Sequence, residues 1–138
     1  MNRVELRHAL AEALRHFAAI ENRTALERDA KYRALRPEID RVLHGFEWDL
    51  SLPETARPPA LLPRAIRVAA WNVERGKRFD ALLGVLRDDP VMRDVDVLML
   101  NEVDIGMGRS FNKNVPREIA EAMGMRYVFA NSHIVLAP

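Results

Sequence analysis

The chain has 138 residues, 49% apolar and 30% charged, with a net charge of +1, a profile that suits a folded domain and excludes a disordered one. It has no cysteine, which excludes disulfides, thiolate metal sites and a cysteine nucleophile. Acidic and basic residues nearly balance in both halves, so nothing in the bulk charge demands a nucleic acid or an anionic membrane, and no apolar run approaches the ~20 residues that cross a bilayer.

The N-terminal stretch mixes charges into its apolar positions and does not read as a secretory signal, so a cytoplasmic setting is expected. Leu6, Leu10, Leu14, Phe17 and Ile20 recur at helical spacing and predict a helix over residues 3–20, with Asn2 as its cap. Thr24 with Glu27 forms a capping-box pattern that predicts a second helix to about Ala34. Pro37 is expected to interrupt it, and a third helix over residues 38–43 is expected to end at Gly45. Residues 1–46 thus form a helical arm. The apolar stripe of the arm is expected to pack within the chain, with helix-mediated self-association as an alternative. Residues 47–65, with Pro53, Pro58, Pro59 and Pro63, predict an extended linker.

From Ile66 the pattern alternates between strand and helix. IRVAAWNV is a short, partly β-branched strand, and Phe79, Leu82, Leu83 and Leu86 mark one face of a helix. DVDVLMLNEVD is nearly continuously apolar and predicts a strand covered on both faces. A loop rich in Gly and Asn comes next, over residues 105–114. VPREIAEAMG then predicts a helix, with Pro116 in its first turn and Gly124 at its end. A strand is predicted over residues 127–130, and another over residues 134–136. Strand, helix, strand, helix, strand is the order of an α/β layer.

Polar side chains at the carboxyl ends of parallel strands are where open α/β sheets bind ligands. Asn72 ends the first strand, and Glu102 and Asp104 end the second. Arg109, Asn112 and Asn114 lie in the loop beyond. Mg²⁺ takes oxygen ligands and often only one or two protein carboxylates, a role that suits Glu102. Asn72 can donate an amide hydrogen bond to a phosphate oxygen, and Arg109 can pair with a phosphate in bidentate fashion. By spacing alone, a lone Glu after an apolar strand is more commonly a solvated strand end or a helix-dipole partner than a metal ligand.

WNVERG after an apolar strand, then VDVLMLNEVD, then GRS and a helix reading REIAEAMGMRYVF, resembles the N-terminal half of the endonuclease/exonuclease/phosphatase family. That family includes deoxyribonuclease-I-like nucleases, inositol polyphosphate phosphatases and neutral sphingomyelinases. The resemblance covers residues 66–136. It implies a partial α/β sandwich of the deoxyribonuclease-I-like type over residues 66–138, preceded by the helical arm. It implies a Mg²⁺-dependent phosphoester hydrolase, with Mn²⁺ as a substitute. It places Asn72 beside metal and phosphate, makes Glu102 the metal ligand, and leaves Asp104 and Arg109 as candidates for substrate contact. The substrate would be a phosphate ester: nucleic acid, phosphoinositide, phospholipid or small molecule.

The family completes its site with an Asp-x-Asn motif and a late Asp-His pair, and neither occurs in this sequence. The chain is therefore expected to be a fragment or truncated product with little or no turnover, and with a sheet face or edge left without its usual cover. His133 has no neighbouring Asp and reads as part of a loop. His8 and His16 are eight residues apart rather than the four usual for a metal pair, and His44 suits a helix end. Two other readings stand beside the hydrolase. One is a non-catalytic interaction module that uses the amphipathic arm. The other is a different α/β enzyme or nucleotide-binding domain; the single Gly after Asn72 disfavours a nucleotide-binding fold.

Overall fold

The computed structural model describes residues 3–51 and 65–136. Asn2 and the linker prolines Pro53, Pro58, Pro59 and Pro63 lie outside the described residues. The chain is a mixed helix and strand protein that divides into two compact units, one of Met1–Asp49 with Val128–Pro138 and the other of Leu50–Tyr127.

In the first unit the long N-terminal helix expected from the leucine spacing is shorter and begins later. Arg3–Val4 is a strand, β1, antiparallel to β2 (Phe46–Asp49), with Arg3 opposite Asp49 and Val4 opposite Trp48. The Leu6 N–H donates to Oε2 of the buried Glu47 at 3.1 Å. These partners draw the first residues out of helical geometry. A 3-10 turn, Leu10–Ala13, and α1, Leu14–Phe17, keep the helical part of the pattern. Leu10, Ala13 and Phe17 are each 2% exposed, so the stripe is satisfied inside this unit.

α2 spans Arg23–Arg28, and its cap is Asn22, not Thr24: Asn22 Oδ1 accepts from the Ala25 N–H at 2.9 Å. Asp29 ends α2 in extended backbone and caps α3, Ala30–Leu43, accepting from the Tyr32 N–H at 2.8 Å. The two helices expected around Pro37 are one helix, and Pro37 lies inside it. Burial and ion pairing around the proline outweigh the hydrogen bond lost there. Ile39 and Val42 are buried against Leu10, and Arg36–Asp40 and Arg41–Glu38 pair along the helix surface. The residues expected to form a strand at Ile134–Leu136 are irregular, and Ile134 and Leu136 pack instead on the Leu10, Ile39 and Val42 cluster.

The second unit is a parallel βαβ arrangement. β3 (Val68–Arg75) and β4 (Val97–Val103) pair in parallel, with Val68 opposite Val97 and Asn72 opposite Asn101. α4 (Phe79–Asp88) makes the crossover, and α5 (Val115–Met123) comes after β4. Val73, Phe79, Leu82, Leu86, Val115 and Ile119 form the core, with Trp71, Leu98 and Leu100 packed against it from the strands. α5 starts and stops where the sequence predicts. Asn114 Oδ1 caps the Arg117 N–H at 3.1 Å, and Gly124 takes the left-handed backbone, φ +64°, that ends the helix. The last strand, β5 (Tyr127–Ala130), belongs to a sheet of order β1-β2-β5.

The strands overturn two expectations. β5 is not hydrogen-bonded to β3 or β4, so the α/β layer has two strands among the described residues, not three. β4 is covered on one face only. Val97, Met99 and, on β3, Val68 are 42%, 59% and 57% exposed, on the face opposite the helices. A continuous apolar run reads as doubly buried, yet here the burial alternates with the pleat.

Candidate functional site

Asn72 and Glu102 come together at the carboxyl ends of β3 and β4. Asn72 Nδ2 donates to Glu102 Oε1 at 3.0 Å, across neighbouring strands and 30 residues of sequence. The other end of the amide is fixed as well, because Asn72 Oδ1 accepts from the Glu74 N–H at 3.0 Å. Both residues are exposed. The local backbone explains how Glu102 reaches this position. Glu102 has φ +52°, and Glu74 and Arg75 have φ +48° and +68°. The parallel register slips between Asn72 and Arg75. Regular alternation would put Asn101 and Glu102 on opposite faces, but the left-handed residue leaves both exposed. Left-handed backbone in non-glycine residues is uncommon and gathers at functional sites.

Asp104 and Arg109, expected as separate substrate contacts, bind each other. Arg109 Nε donates to Asp104 Oδ2 at 2.8 Å and Nη2 to Oδ1 at 2.9 Å. Ser110 Oγ adds a hydrogen bond to Oδ2 at 3.2 Å. Asp104 is 8% exposed and Ser110 is fully buried, while the Arg109 side chain is 35% exposed. Burial pushes the Asp104 carboxyl up, but the Arg109 hydrogen bonds and charge, with Ser110, outweigh it and hold the carboxyl below its ordinary value. Arg109 is held above its ordinary value first by the hydrogen bond to Asp104, and the negative charge of Glu102 acts in the same direction. Asp104 therefore holds Arg109 in place and has no oxygen left unbonded. Arg109 can still present the outer part of its guanidinium to an anion.

Ser110 carries no signal in the sequence beyond its place in GRS, since a lone serine in a polar loop gives no sign of burial. Asn114 is the cap of α5, and Asn112 is exposed in left-handed backbone, φ +56°. Of the nearby cations, Lys77 pairs with Glu74 at 3.2 Å. The histidines have local partners. His16 Nε2 meets Asp29 Oδ2 at 2.9 Å, His44 Nδ1 meets the Asp40 carbonyl at 2.8 Å, and His133 Nδ1 meets Ser132 Oγ at 2.9 Å.

No group of three or more His, Cys, Asp or Glu side chains able to hold a metal occurs among the described residues. The donor set at the strand ends is one exposed carboxylate, Glu102, with an amide fixed beside it. Such a set fits a small hard cation that keeps most of its water, as Mg²⁺ does, and does not fit an ion that needs a closed protein cage. No described helix is long and apolar enough to cross a membrane. Comparison of the chain with protein-family models, with curated proteins and with solved structures gave no match.

Proposed function

We propose that the chain carries part of the active site of a Mg²⁺-dependent phosphoester hydrolase of the endonuclease/exonuclease/phosphatase type. The observation that carries this reading is the Asn72–Glu102 hydrogen bond at the carboxyl ends of two parallel strands. The resemblance assigns these two residues to one metal site from sequence motifs 30 residues apart, and their side chains meet at 3.0 Å. The partial deoxyribonuclease-I-like sandwich belongs to the same proposal, supported by the βαβ unit and by a sheet face that no described helix covers.

Glu102 and, through water, Asn72 would hold Mg²⁺, or Mn²⁺ in its place. When bound, the ion supplies positive charge to a phosphoryl oxygen. Asn72 orients the Glu102 carboxylate without adding a second negative charge that would repel a phosphate. Arg109, fixed by Asp104, offers a cation to the same anion. The general base is not identified among these residues, because the sequence contains neither Asp-x-Asn nor Asp-His.

The test is Mn²⁺ binding to the full chain, read from the enhancement of water proton relaxation, with hydrolysis of bis(p-nitrophenyl) phosphate measured alongside. Binding that is competed by Mg²⁺ and at least tenfold weaker in Glu102→Gln is expected. Equal Mn²⁺ binding by the wild type and Glu102→Gln would remove Glu102 from the metal site and the reading with it.

A further inference from the structure

Residues 104–114 form a loop closed on itself. The Val115 N–H donates to the Asp104 carbonyl at 3.1 Å, and the Gly106 N–H to the Lys113 carbonyl at 2.9 Å. Inside, the Asn112 N–H donates to the Met107 carbonyl at 2.9 Å and the Lys113 N–H to the Ser110 carbonyl at 3.1 Å. Buried Ser110 and the Asp104–Arg109 pair fasten its middle. At its turn, Phe111 and Asn112 are both left-handed, with φ +58° and +56°. This backbone is rare and costly for a bulky aromatic residue. No packing compensates for it, because Phe111 is 72% exposed. A tightly bonded loop thus holds a strained aromatic residue in solvent, two positions after the arginine that is fixed on Asp104, itself two residues beyond Glu102.

We infer that Phe111 is a stacking platform for the base of a nucleoside phosphate whose phosphate group lies at Glu102 and Arg109. The inference rests on the phosphoester reading and narrows its substrate class. The Phe111 ring two residues from the Arg109 guanidinium matches a small ligand with one planar aromatic group and one anionic group, and Arg75, whose charge also acts on Asp104, adds a second cation for that anion. A long nucleic acid would ask for a run of cations. The net charge is +1, and the one lysine of the loop, Lys113, is bound to Glu118 at 2.7 Å and lies over the Phe79 ring at 4.5 Å. A lipid surface would ask for a polybasic patch or a broader apolar face around the ring.

The experiment measures equilibrium binding of adenosine 5′-monophosphate and of ribose 5-phosphate, in Mg²⁺, to the wild type, Phe111→Ala and Phe111→Gly. Base–aromatic stacking is worth on the order of tenfold in affinity or more. The wild type is expected to bind the nucleotide about tenfold more tightly than the sugar phosphate, and both variants are expected to bind the two alike. Phe111→Gly is expected to unfold at a higher urea concentration than the wild type, because glycine takes this φ without strain. That gain separates lost stacking from lost folding. Variants that keep the wild-type preference, or a wild type without one, overturn the platform and leave the phosphate site standing. A wild type that binds neither ligand overturns both.

Discussion

Asp104 grips Arg109 with both carboxylate oxygens, at 2.8 and 2.9 Å, and the same Oδ2 accepts from buried Ser110 at 3.2 Å. Three side chains within seven residues thus fasten the loop beyond β4. Asp104→Ala removes all three hydrogen bonds. Hydrogen bonds to a charged group are worth about 1.5–3 kcal/mol each, but the Arg109 side is open to water and screened. The expected loss is about 1–2 kcal/mol in urea unfolding. Because the pair fastens the loop, faster amide exchange at Gly106 and Asn112 is expected with it. An unchanged exchange pattern would show that the loop holds itself without the pair.

Acid should release the same contact. The Asp104 carboxyl sits below its ordinary value in the folded chain, because Arg109 and Ser110 outweigh burial. The unfolded chain therefore takes up this proton first as pH falls, near the ordinary aspartate value of about 3.9. Stability rises with pH across that window. The contribution is whole above the unfolded value and fades as pH drops through the lower folded one. Asp29 and Glu38 are lowered too, Asp29 mainly by the Tyr32 N–H and Glu38 mainly by Arg41, so the wild type alone would show a composite. Asp104→Asn keeps the shape and removes the titration. The urea midpoints of the two proteins should converge as pH falls through and below the ordinary aspartate value of about 3.9. A constant gap would mean that another group carries the acid sensitivity.

Gly76 ties the end of β3 to the core. Its φ is +74°, and a Cβ there would lie 2.7 Å from Val115 Cγ2 and 2.8 Å from Cγ1. Val115 is fully buried, so it cannot turn away freely. Gly76→Ala combines a disfavoured backbone with overpacking, and about 2–3 kcal/mol of destabilisation is expected. Val115→Ala removes the clashing methyls but not the strain. In that background the Gly76→Ala penalty should fall to about 1 kcal/mol. An unchanged penalty would assign the whole effect to the backbone.

How much of the fold is legible in the sequence depends on the range of the interactions involved. α4 and α5 are readable because their causes are local: Leu82 and Leu86 on one face, Pro116 in the first turn, Gly124 as stop. The first unit is not, because its structure depends on distant partners. Arg3–Val4 is a strand only because Phe46–Asp49 runs beside it, and the Leu6 N–H is drawn to Glu47 across 41 residues. Pro37 stays helical because burial of Ile39 and Val42 overrides a local rule. At the site, the motifs name Asn72 and Glu102, and the two meet at 3.0 Å. The motifs do not reveal that Asp104 and Arg109 bind each other, since a carboxylate and a guanidinium five residues apart in a loop can face each other or a ligand. Nor do they reveal the left-handed turn at Glu102. Glycine is the usual sign of such backbone, and here a glutamate stands in its place.

That glutamate sets up a trade between stability and site geometry. Glu102 occupies φ +52°, where glycine would be at ease and any other residue is strained. Glu102→Ala and Glu102→Gly both delete the carboxylate and leave Asn72 Nδ2 to water, an inexpensive change because both side chains are exposed. The two variants then differ mainly in backbone preference. Alanine keeps the strain and glycine releases it, against the larger entropy that glycine gains on unfolding. Glu102→Gly should be the more stable of the two by about 0.5–1 kcal/mol. Both should lose Mn²⁺ binding to the same extent. A more stable glycine variant would mark the turn as one that glutamate occupies at a cost. Equal stability of the two variants would mean that the turn carries no strain, and the left-handed backbone at Glu102 would then say nothing about function.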